Sequence, residues 1–245
     1  MEQDLRQLTD WIRESSNIVF FGGAGVSTES GVPDFRSQDG LYHQTYQYPP
    51  EMIISHSFFM QKPEQFYQFY RDRMLYPDAK PNAAHLALAK LEQMGKLRAV
   101  ITQNIDGLHQ KAGSKHVLEL HGSVLRNHCM RCGKFFGLDA ILNSSGVPHC
   151  DECGGIIKPD VVLYEEALDD AVMREALRLL AEADVLIIGG TSLVVYPAAG
   201  MIDAYRGKKL VLINRDATAR DEVADLIIRR PIGAVFEEVM QALEG

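Results

Sequence analysis

The amino-acid sequence predicts an α/β fold: a Rossmann-like parallel sheet with helices on both faces and a small second domain attached. Short apolar runs of strand length alternate with stretches whose apolar residues recur at helical spacing, and this alternation is typical of parallel sheets. Two segments interrupt it, because residues 42–80 are rich in aromatic residues and amides and residues 127–158 contain the cysteines. We expect both segments to be excursions from one sheet that join into the small domain.

The elements follow in order along the chain. Apolar residues recur at helical spacing through residues 5–12, so we expect a first helix that ends near Ser15 and leads into a buried strand at 18–21. Later units are predicted as helix 82–94 with strand 98–102, helix 169–181 with strand 185–188, and helix 198–205 with strand 210–213. The Rossmann-like domain then comprises residues 1–41, 81–126 and 159–245. The helical insert 42–80 and the zinc-ribbon module 127–158 form the small domain.

Charge and hydropathy exclude some classes of protein. The 245 residues carry a formal net charge of −8, which opposes binding to a phosphate backbone, so we expect no nucleic-acid partner. No run of about 18 uncharged apolar residues occurs, and the N-terminus has no secretory leader pattern, so we expect no membrane partner and a cytoplasmic location. The sequence leaves the oligomeric state open.

The four cysteines have the spacing of a zinc ribbon. Cys129 and Cys132 form one C-x2-C pair, Cys150 and Cys153 form a second, and 17 residues lie between the two pairs. Four thiolates would leave no open position on the ion, so we expect a structural zinc rather than a catalytic one. Reduced or redox-active thiols are the alternative, but they would not need pairs with this spacing.

Glycine and small polar residues follow several predicted strands. The segment 22–28, which reads GGAGVST, resembles a dinucleotide-binding loop, but Thr28 stands where the third glycine is expected. No second strand follows it in the manner of a hydride-transferring dehydrogenase, so that class is disfavoured. Small polar residues also end the strands at 189–192 and 214–216. Each could be a tight turn; together they predict a nucleotide-binding crevice.

Polar residues that a turn does not require lie beside this crevice. Gln103, Asn104 and Asp106 follow the apolar run at 98–102, and His121 ends another short apolar run. A histidine in this position can act as a general base near neutral pH, or it can be a hydrogen-bonded structural group. The residues by themselves leave these alternatives open.

The order and spacing of these motifs resemble the sirtuins, most closely the compact bacterial and archaeal members. The match runs from about residue 18 to residue 214 through GAGVS (23–27), GVPDFR (31–36), TQNIDGLH (102–109), LHG (120–122), the four cysteines, GTSL (190–193) and Asn214. The resemblance implies an NAD-consuming protein-lysine deacylase.

The resemblance also implies a role for each matching residue. NAD, as co-substrate, would contact Ala24, Gly25, Thr28, Asp34, Phe35, Arg36, Gln103, Asn104, Ile105, Asp106, His121, Gly190, Thr191, Ser192, Asn214, Arg215 and Ile232. Phe35 would shield the reacting ribose carbon from water, and Asp106 would accept a hydrogen bond from the nicotinamide carboxamide. His121 and Asn104 would be catalytic, with His121 taking a proton from a ribose hydroxyl as the acetyl group passes from lysine to ADP-ribose.

The acetylated protein or peptide substrate is implied to add a strand between two edges of the cleft. Val161, Val162, Leu163 and Tyr164 match one edge, and residues 193–196, with Val195, match the other. Sirtuins usually have Phe-Gly-Glu where this chain has Tyr164-Glu165-Glu166, and these two acids could favour substrates with basic flanking residues. Relatives that remove negatively charged acyl groups have a tyrosine and an arginine together in the acyl channel. No arginine lies near Tyr42 in this sequence, so the resemblance implies a neutral short acyl group, acetyl first.

Other classes of protein remain possible from the sequence. A mono-ADP-ribosyltransferase would use the same cleavage of NAD with a different acceptor. A non-catalytic nucleotide-binding zinc module would explain the cysteines and glycines, but it would not need His121, Asn104 and Asp106 together. A serine hydrolase that uses Ser27 with His121 would need no NAD.

Overall fold

The structure is a computed structural model that describes residues 2–34 and 47–245. Its described helices are α1 (Gln3–Glu14), α2 (Pro50–Ile53), α3 (His56–Gln61), α4 (Pro63–Arg73), α5 (Ala83–Gln93), α6 (Leu108–Ala112), α7 (Asp139–Leu142), α8 (Asp170–Glu182) and α9 (Ile232–Glu244). Its described strands are β1 (Ile18–Gly22), β2 (Leu97–Thr102), β3 (Val117–Glu119), β4 (Gly122–Cys129), β5 (Phe135–Phe136), β6 (Ile157–Val161), β7 (Val185–Gly189), β8 (Leu210–Ile213) and β9 (Leu226–Ile228).

Six parallel strands form the large sheet, in the order β3-β2-β1-β7-β8-β9. The strands are added outward from β1 to β3, with a first excursion into the small domain between β1 and β2. After β3 the chain makes its second excursion and returns to the other side of β1 as β7. Strand order therefore reverses between β1 and β7, and in open parallel sheets a ligand crevice lies beyond the carboxyl ends of strands at such a point. The predicted α/β fold is confirmed.

Apolar side chains cover both faces of the central strands. All five residues of β1 and of β7 are buried, and their alternate side chains enter two separate cores. Ile18 and Phe20 face the core that contains α1, α5 and α9. Val19 and Phe21 face the core that contains α8.

Predicted and observed elements differ most at residues 198–205. This segment forms a 3-10 helix, Ala198–Ala204, rather than an α-helix. Gly200 lies in its middle, and glycine is a weak α-helix former because of its backbone entropy. The other predicted helices and strands agree with the structure to within one or two residues at most ends.

The two excursions pack against each other. An antiparallel sheet, β5-β4-β6, carries the cysteine pairs at the ends of its strands and loops. Its apolar residues share one core with α3 and α4, where Phe66 stacks on Tyr70 and meets Tyr67 edge to face. The hydroxyl of Tyr67 donates to the carbonyl oxygen of Ile157 in β6. This shared core supports the predicted small domain, whose exact boundaries remain a prediction.

In the part of the chain that the structure describes, no helix combines the length and apolar character that crossing a bilayer requires.

Candidate active site

A cavity of about 580 Å³ opens at the carboxyl ends of β1, β2, β7 and β8. The small domain closes its other side with Ile54, Tyr70, Arg73 and Met74. The residues that sequence analysis placed in the cofactor and peptide sites line this one cavity: Ala24, Gly25, Thr28, Asp34, Gln103, Asn104, Ile105, Asp106, His121, Val161, Val162, Leu163, Tyr164, Gly190, Thr191, Ser192, Val195, Asn214, Arg215 and Ile232. Phe35, Arg36 and the segment around Tyr42 lie outside the described residues.

The two glycine loops pack directly against each other. The Gly25 amide donates to the carbonyl oxygen of Gly190 at 2.8 Å. A Cβ on Gly25 would lie 2.8 Å from the Gly190 Cα, and one on Gly190, whose φ is +60°, would lie 2.3 Å from the Val26 nitrogen. Either side chain would therefore force the loops apart. These glycines are needed for contact between the loops, a role that sequence analysis did not predict when it assigned both to the nucleotide site.

A hydrogen-bond network lies on the floor of the cavity. The Ser27 hydroxyl donates to Asp106 Oδ2 at 2.7 Å and accepts from Asn104 Nδ2 at 3.1 Å. The other carboxylate oxygen of Asp106 accepts from the Leu108 amide at 2.8 Å. Ser27 is completely buried and Asn104 nearly so. The amide and the carboxylate are thus fixed before any ligand binds.

His85 completes this network, which we call the floor network: Ser27, His85, Asn104 and Asp106. At the start of α5, the Asn82 amide donates to His85 Nδ1 at 3.2 Å in a capping box. Because Nδ1 accepts, the proton of the neutral ring lies on Nε2, which is 3.4 Å from the Ser27 hydroxyl. Burial lowers the pKa of His85 to about 4, although the Asp106 carboxylate opposes the shift. The ring is therefore neutral at neutral pH.

His121 presents a neutral imidazole to the cavity. Its Nδ1 lies 3.0 Å from the carbonyl oxygen of Gln103. A carbonyl oxygen can only accept, so Nδ1 donates and Nε2 is the basic nitrogen. Burial lowers the pKa of His121, and the bond to Gln103 opposes the shift. The geometry suits a general base near neutral pH.

The serine hydrolase alternative does not agree with this arrangement. The hydroxyl proton of Ser27 is directed to the Asp106 carboxylate, and its histidine neighbour is His85. His121 instead binds the backbone of Gln103. Ser27 is therefore a buried network residue rather than an exposed nucleophile.

Side-chain hydrogen bonds also connect the residues on the adenosine side of the predicted site. Asn214 accepts from the Thr191 amide and donates to the Thr191 carbonyl, both at 3.1 Å. The Thr191 hydroxyl accepts from Gln103 Nε2 at 3.0 Å. The ends of β2, β7 and β8 are thereby joined across the crevice.

The residue after His121 must be glycine. Gly122 has a φ of +72°, and a Cβ there would lie 1.7 Å from the carbonyl oxygen of Asp160 in β6. This close approach brings β6 to β4, and the Val162 amide then donates to the His121 carbonyl at 3.0 Å. The predicted peptide edge therefore begins directly beside the candidate base.

The peptide edge is also bound to the small-domain helices. The Tyr164 amide donates to the Ile54 carbonyl at 3.1 Å, and the His56 amide donates to the Tyr164 carbonyl at 3.0 Å. On the opposite side of the cleft, Val194 and Tyr196 are exposed apolar residues. Apolar residues exposed at a cleft are typical of a docking site for another chain.

The four cysteines form a separate cluster outside the cavity. All four Sγ atoms lie within 4.8 Å of one another, with Cys129 and Cys153 at 3.3 Å and Cys132 and Cys150 at 3.7 Å. Four sulfurs at about 2.3 Å from one tetrahedral zinc are about 3.8 Å apart. The donor set and its spacing therefore fit a structural zinc.

Sequence analysis missed His85, and the pairing of Ser27 with His121 in the hydrolase alternative is not the one that forms. The signal for His85 was present, because Asn82 and His85 have the N-cap and N3 spacing of a capping box. The contact between His85 and Ser27 joins residues 58 positions apart. Local sequence patterns do not carry such a contact.

Comparison with known proteins places these features in context. The sequence profile of the Sir2 family matches residues 23–197. An NAD-dependent protein deacetylase from Clostridium perfringens is 60% identical over 98% of this chain and 100% of the relative. An NAD-dependent protein deacetylase from Clostridium acetobutylicum is 59% identical over 96% of this chain and 98% of the relative.

Solved structures agree in fold. A structure described as Sir2 with a p53 peptide and NAD+ has a TM-score of 0.87 and 42% identity, and covers 99% of this chain and 98% of that one. A Sir2 variant with a deacetylated p53 peptide and 3'-O-acetyl ADP-ribose has a TM-score of 0.89 and 42% identity, and covers 97% of this chain and 98% of that one.

Proposed function

The chain belongs to the Sir2 family, and from this premise we infer its reaction. It is an NAD-dependent protein deacetylase, which transfers the acetyl group of acetyl-lysine to ADP-ribose and releases nicotinamide. The observation that carries this assignment is one cavity where glycine loops, a fixed amide and carboxylate, and a neutral histidine meet at the switch point of the sheet. Acetylated peptides or proteins are its substrates.

We propose that His121 is the general base. The Gln103 carbonyl holds the proton on Nδ1, so Nε2 can take a proton from a ribose hydroxyl. Burial keeps the ring neutral, which means that the base needs no prior deprotonation at neutral pH. Bound NAD supplies the bond between ribose and nicotinamide, whose cleavage creates the acceptor for the acetyl group.

We propose that the floor network orients the nicotinamide end of the cofactor. Asn104 and Asp106 line the cavity, and hydrogen bonds to Ser27 already fix their side chains. Little side-chain entropy is therefore lost when the ligand binds. The remaining cavity residues of the cofactor set would hold the ribose, pyrophosphate and adenine. Phe35 and Arg36 belong to this proposed set from the sequence resemblance alone.

The four cysteines would hold a structural zinc through their thiolates. Four protein ligands complete the tetrahedron, so the ion would support the small domain and would not bind substrate. Thiols committed to zinc also suit a reducing compartment, and we propose that the protein acts in the cytoplasm. We further propose that it has no nucleic-acid partner, since its net charge is −8.

The test is the release of deacetylated peptide from an acetyl-lysine peptide with and without NAD, with nicotinamide followed by chromatography. We expect release only with NAD, and a loss of about a hundredfold or more in His121→Ala, the range for a missing general base. His116→Ala is the matched control, because His116 lies at the amino end of β3, whereas His121 follows its carboxyl end and lines the cavity. It should retain activity.

Two outcomes would overturn the assignment. Release of deacetylated peptide without NAD would indicate a hydrolase. Nicotinamide release without deacetylated peptide would indicate ADP-ribosyl transfer or simple NAD hydrolysis, and mass spectrometry would then find ADP-ribose attached to protein or free in solution.

A further inference from the structure

Two neighbouring acids at the end of the peptide edge have different environments. Glu165 and Glu166 follow Tyr164 directly, and both line the mouth of the cavity. From the sequence they form one acidic pair. Their side-chain contacts differ. A cation of the protein pairs with the Glu166 carboxylate, whereas neutral groups contact the Glu165 carboxylate.

The negative charge of Glu166 is balanced by an ion pair within the protein. One of its carboxylate oxygens lies 2.8 Å from His56 Nδ1, and the other accepts from Lys158 Nζ at 3.1 Å and from the Leu163 amide at 2.9 Å. These contacts lower the pKa of Glu166 against the opposing effect of burial. Its charge is balanced inside the wall of the cleft, where it fixes the loop.

The Glu165 carboxylate is also fixed by hydrogen bonds, but its donors are neutral groups. Its two carboxylate oxygens accept from the amide and the hydroxyl of Ser57 at the start of α3, at 2.8 and 2.9 Å. Within residues 2–34 and 47–245 it forms no ion pair. The side chain is exposed. A negative charge is therefore presented in a fixed place at the rim of the cleft.

The backbone at Glu165 points to a role for its side chain. Its φ is +75°, in the left-handed region that favours glycine. A side chain there meets a steric cost that glycine avoids. Glu165 therefore occupies a backbone conformation that its residue type disfavours. Such an outlier next to a substrate edge motivates a functional hypothesis for the side chain.

We propose that Glu165 is a specificity-determining residue that makes this enzyme prefer peptides with lysine or arginine close to the acetyl-lysine. The proposal rests on the deacetylase function given above. A cation on the docked peptide would meet a carboxylate that has no ion-pair partner among the described residues and is already fixed by Ser57, so little side-chain entropy is lost in forming the pair. A carboxylate on the peptide would meet a like charge. Glu166 makes no such contribution because the Lys158 ammonium group balances its charge.

The experiment compares acetyl-lysine peptides that differ at one flanking position at a time, with arginine, alanine or glutamate. For the wild type we expect kcat/KM to be about threefold higher for arginine than for glutamate at one or more positions near the acetyl-lysine, the size of a rim charge pair. The ratio should fall toward one at about 0.5 M salt, because salt screens exposed charges.

Glu165→Gln should abolish the ratio. Glu165→Gly is the second variant, because glycine removes the charge and suits the left-handed backbone. It should also lose the ratio and still turn over the alanine peptide. Glu64→Gln, on α4 outside the cavity, makes the same change of net charge and should keep the ratio.

Equal turnover of all flanking residues by the wild type would overturn the proposal, as would a ratio that survives in both Glu165 variants. These failures are distinguishable from failure of the deacetylase assignment, in which the wild type would not deacetylate even the alanine peptide in the presence of NAD.

Discussion

The floor network and the cysteine cluster are both groups of polar side chains, but they are stabilised in different ways. In the floor network the chain itself supplies a partner for each side chain, from the Asn82 amide through His85 to Ser27. In the cysteine cluster four sulfurs approach one another closely, and a cation must bind them before they can carry negative charge together. The first region is fixed by folding alone, whereas the second depends on a metal.

The largest expected effect comes from breaking the metal-dependent region. Cys132→Ser, or treatment of the wild type with a strong chelator, should unfold the small domain, because structural zinc contributes about 10 kcal/mol of binding free energy to such modules. Hydrogen exchange should rise in residues 127–158 and stay slow in β1 and β7. Deacetylation should also be lost, since β6 leads directly from the cluster into the peptide edge.

Adding zinc back should restore the chelated wild type but not Cys132→Ser. Normal zinc content and slow exchange in the variant would contradict the dependence of this region on four thiolates.

A smaller effect is expected from breaking the floor network. Ser27→Ala leaves His85, Asn104 and Asp106 without their shared partner, which should lower the free energy of unfolding by about 2 kcal/mol. Deacetylation should fall at least tenfold, because the amide and the carboxylate lose their fixed orientation. Urea unfolding and steady-state kinetics measure the two effects.

Thr9→Ala is the matched control, because Thr9 is equally buried and donates only to the Leu5 carbonyl within α1. It should lose stability while kcat stays unchanged. If Ser27→Ala kept full activity, the network would have no role in positioning the cofactor.

The third effect concerns acid and is expected in stability rather than in catalysis. Burial lowers the pKa of His109 to about 3 and that of His85 to about 4, both below the ordinary 6.5. Between these folded-state pKa values and 6.5, the unfolded chain binds more protons than the folded chain. The free energy of unfolding therefore falls as the pH drops below 6.5. At pH 5, each buried histidine should have lowered the free energy of unfolding by up to about 2 kcal/mol.

Urea unfolding of the wild type and His109→Leu at pH 7.5 and pH 5.0 isolates the contribution of one histidine. His109 is buried against Phe20 and His85, and neither ring nitrogen has a hydrogen-bond partner within the described residues. The variant should lose less stability on acidification. The cysteine cluster is the same in both proteins, so identical pH dependence would exclude a role for His109.

Much of the fold and of the site could be predicted because the signals are local. Five buried apolar residues in β1 and in β7 indicate central strands wherever they occur. The cysteine spacing likewise indicates four thiolates around one ion, since two short loops each supply a pair. The cavity residues follow strand ends, and parallel strands bring their carboxyl ends to the same edge of a sheet.

The sequence by itself determined the alternating strands and helices, the cysteine cluster, the family and the identity of the candidate base, His121. Only the tertiary structure decided which partner each polar side chain has. It placed His85 against Ser27 and packed Gly25 against Gly190. Within residues 2–34 and 47–245, it gave Glu166 but not Glu165 a cation. The physical reason is that hydrogen bonds and ion pairs act over a few ångströms in space. Residues that are distant in the chain come that close only after the apolar cores have fixed the positions of the strands and helices.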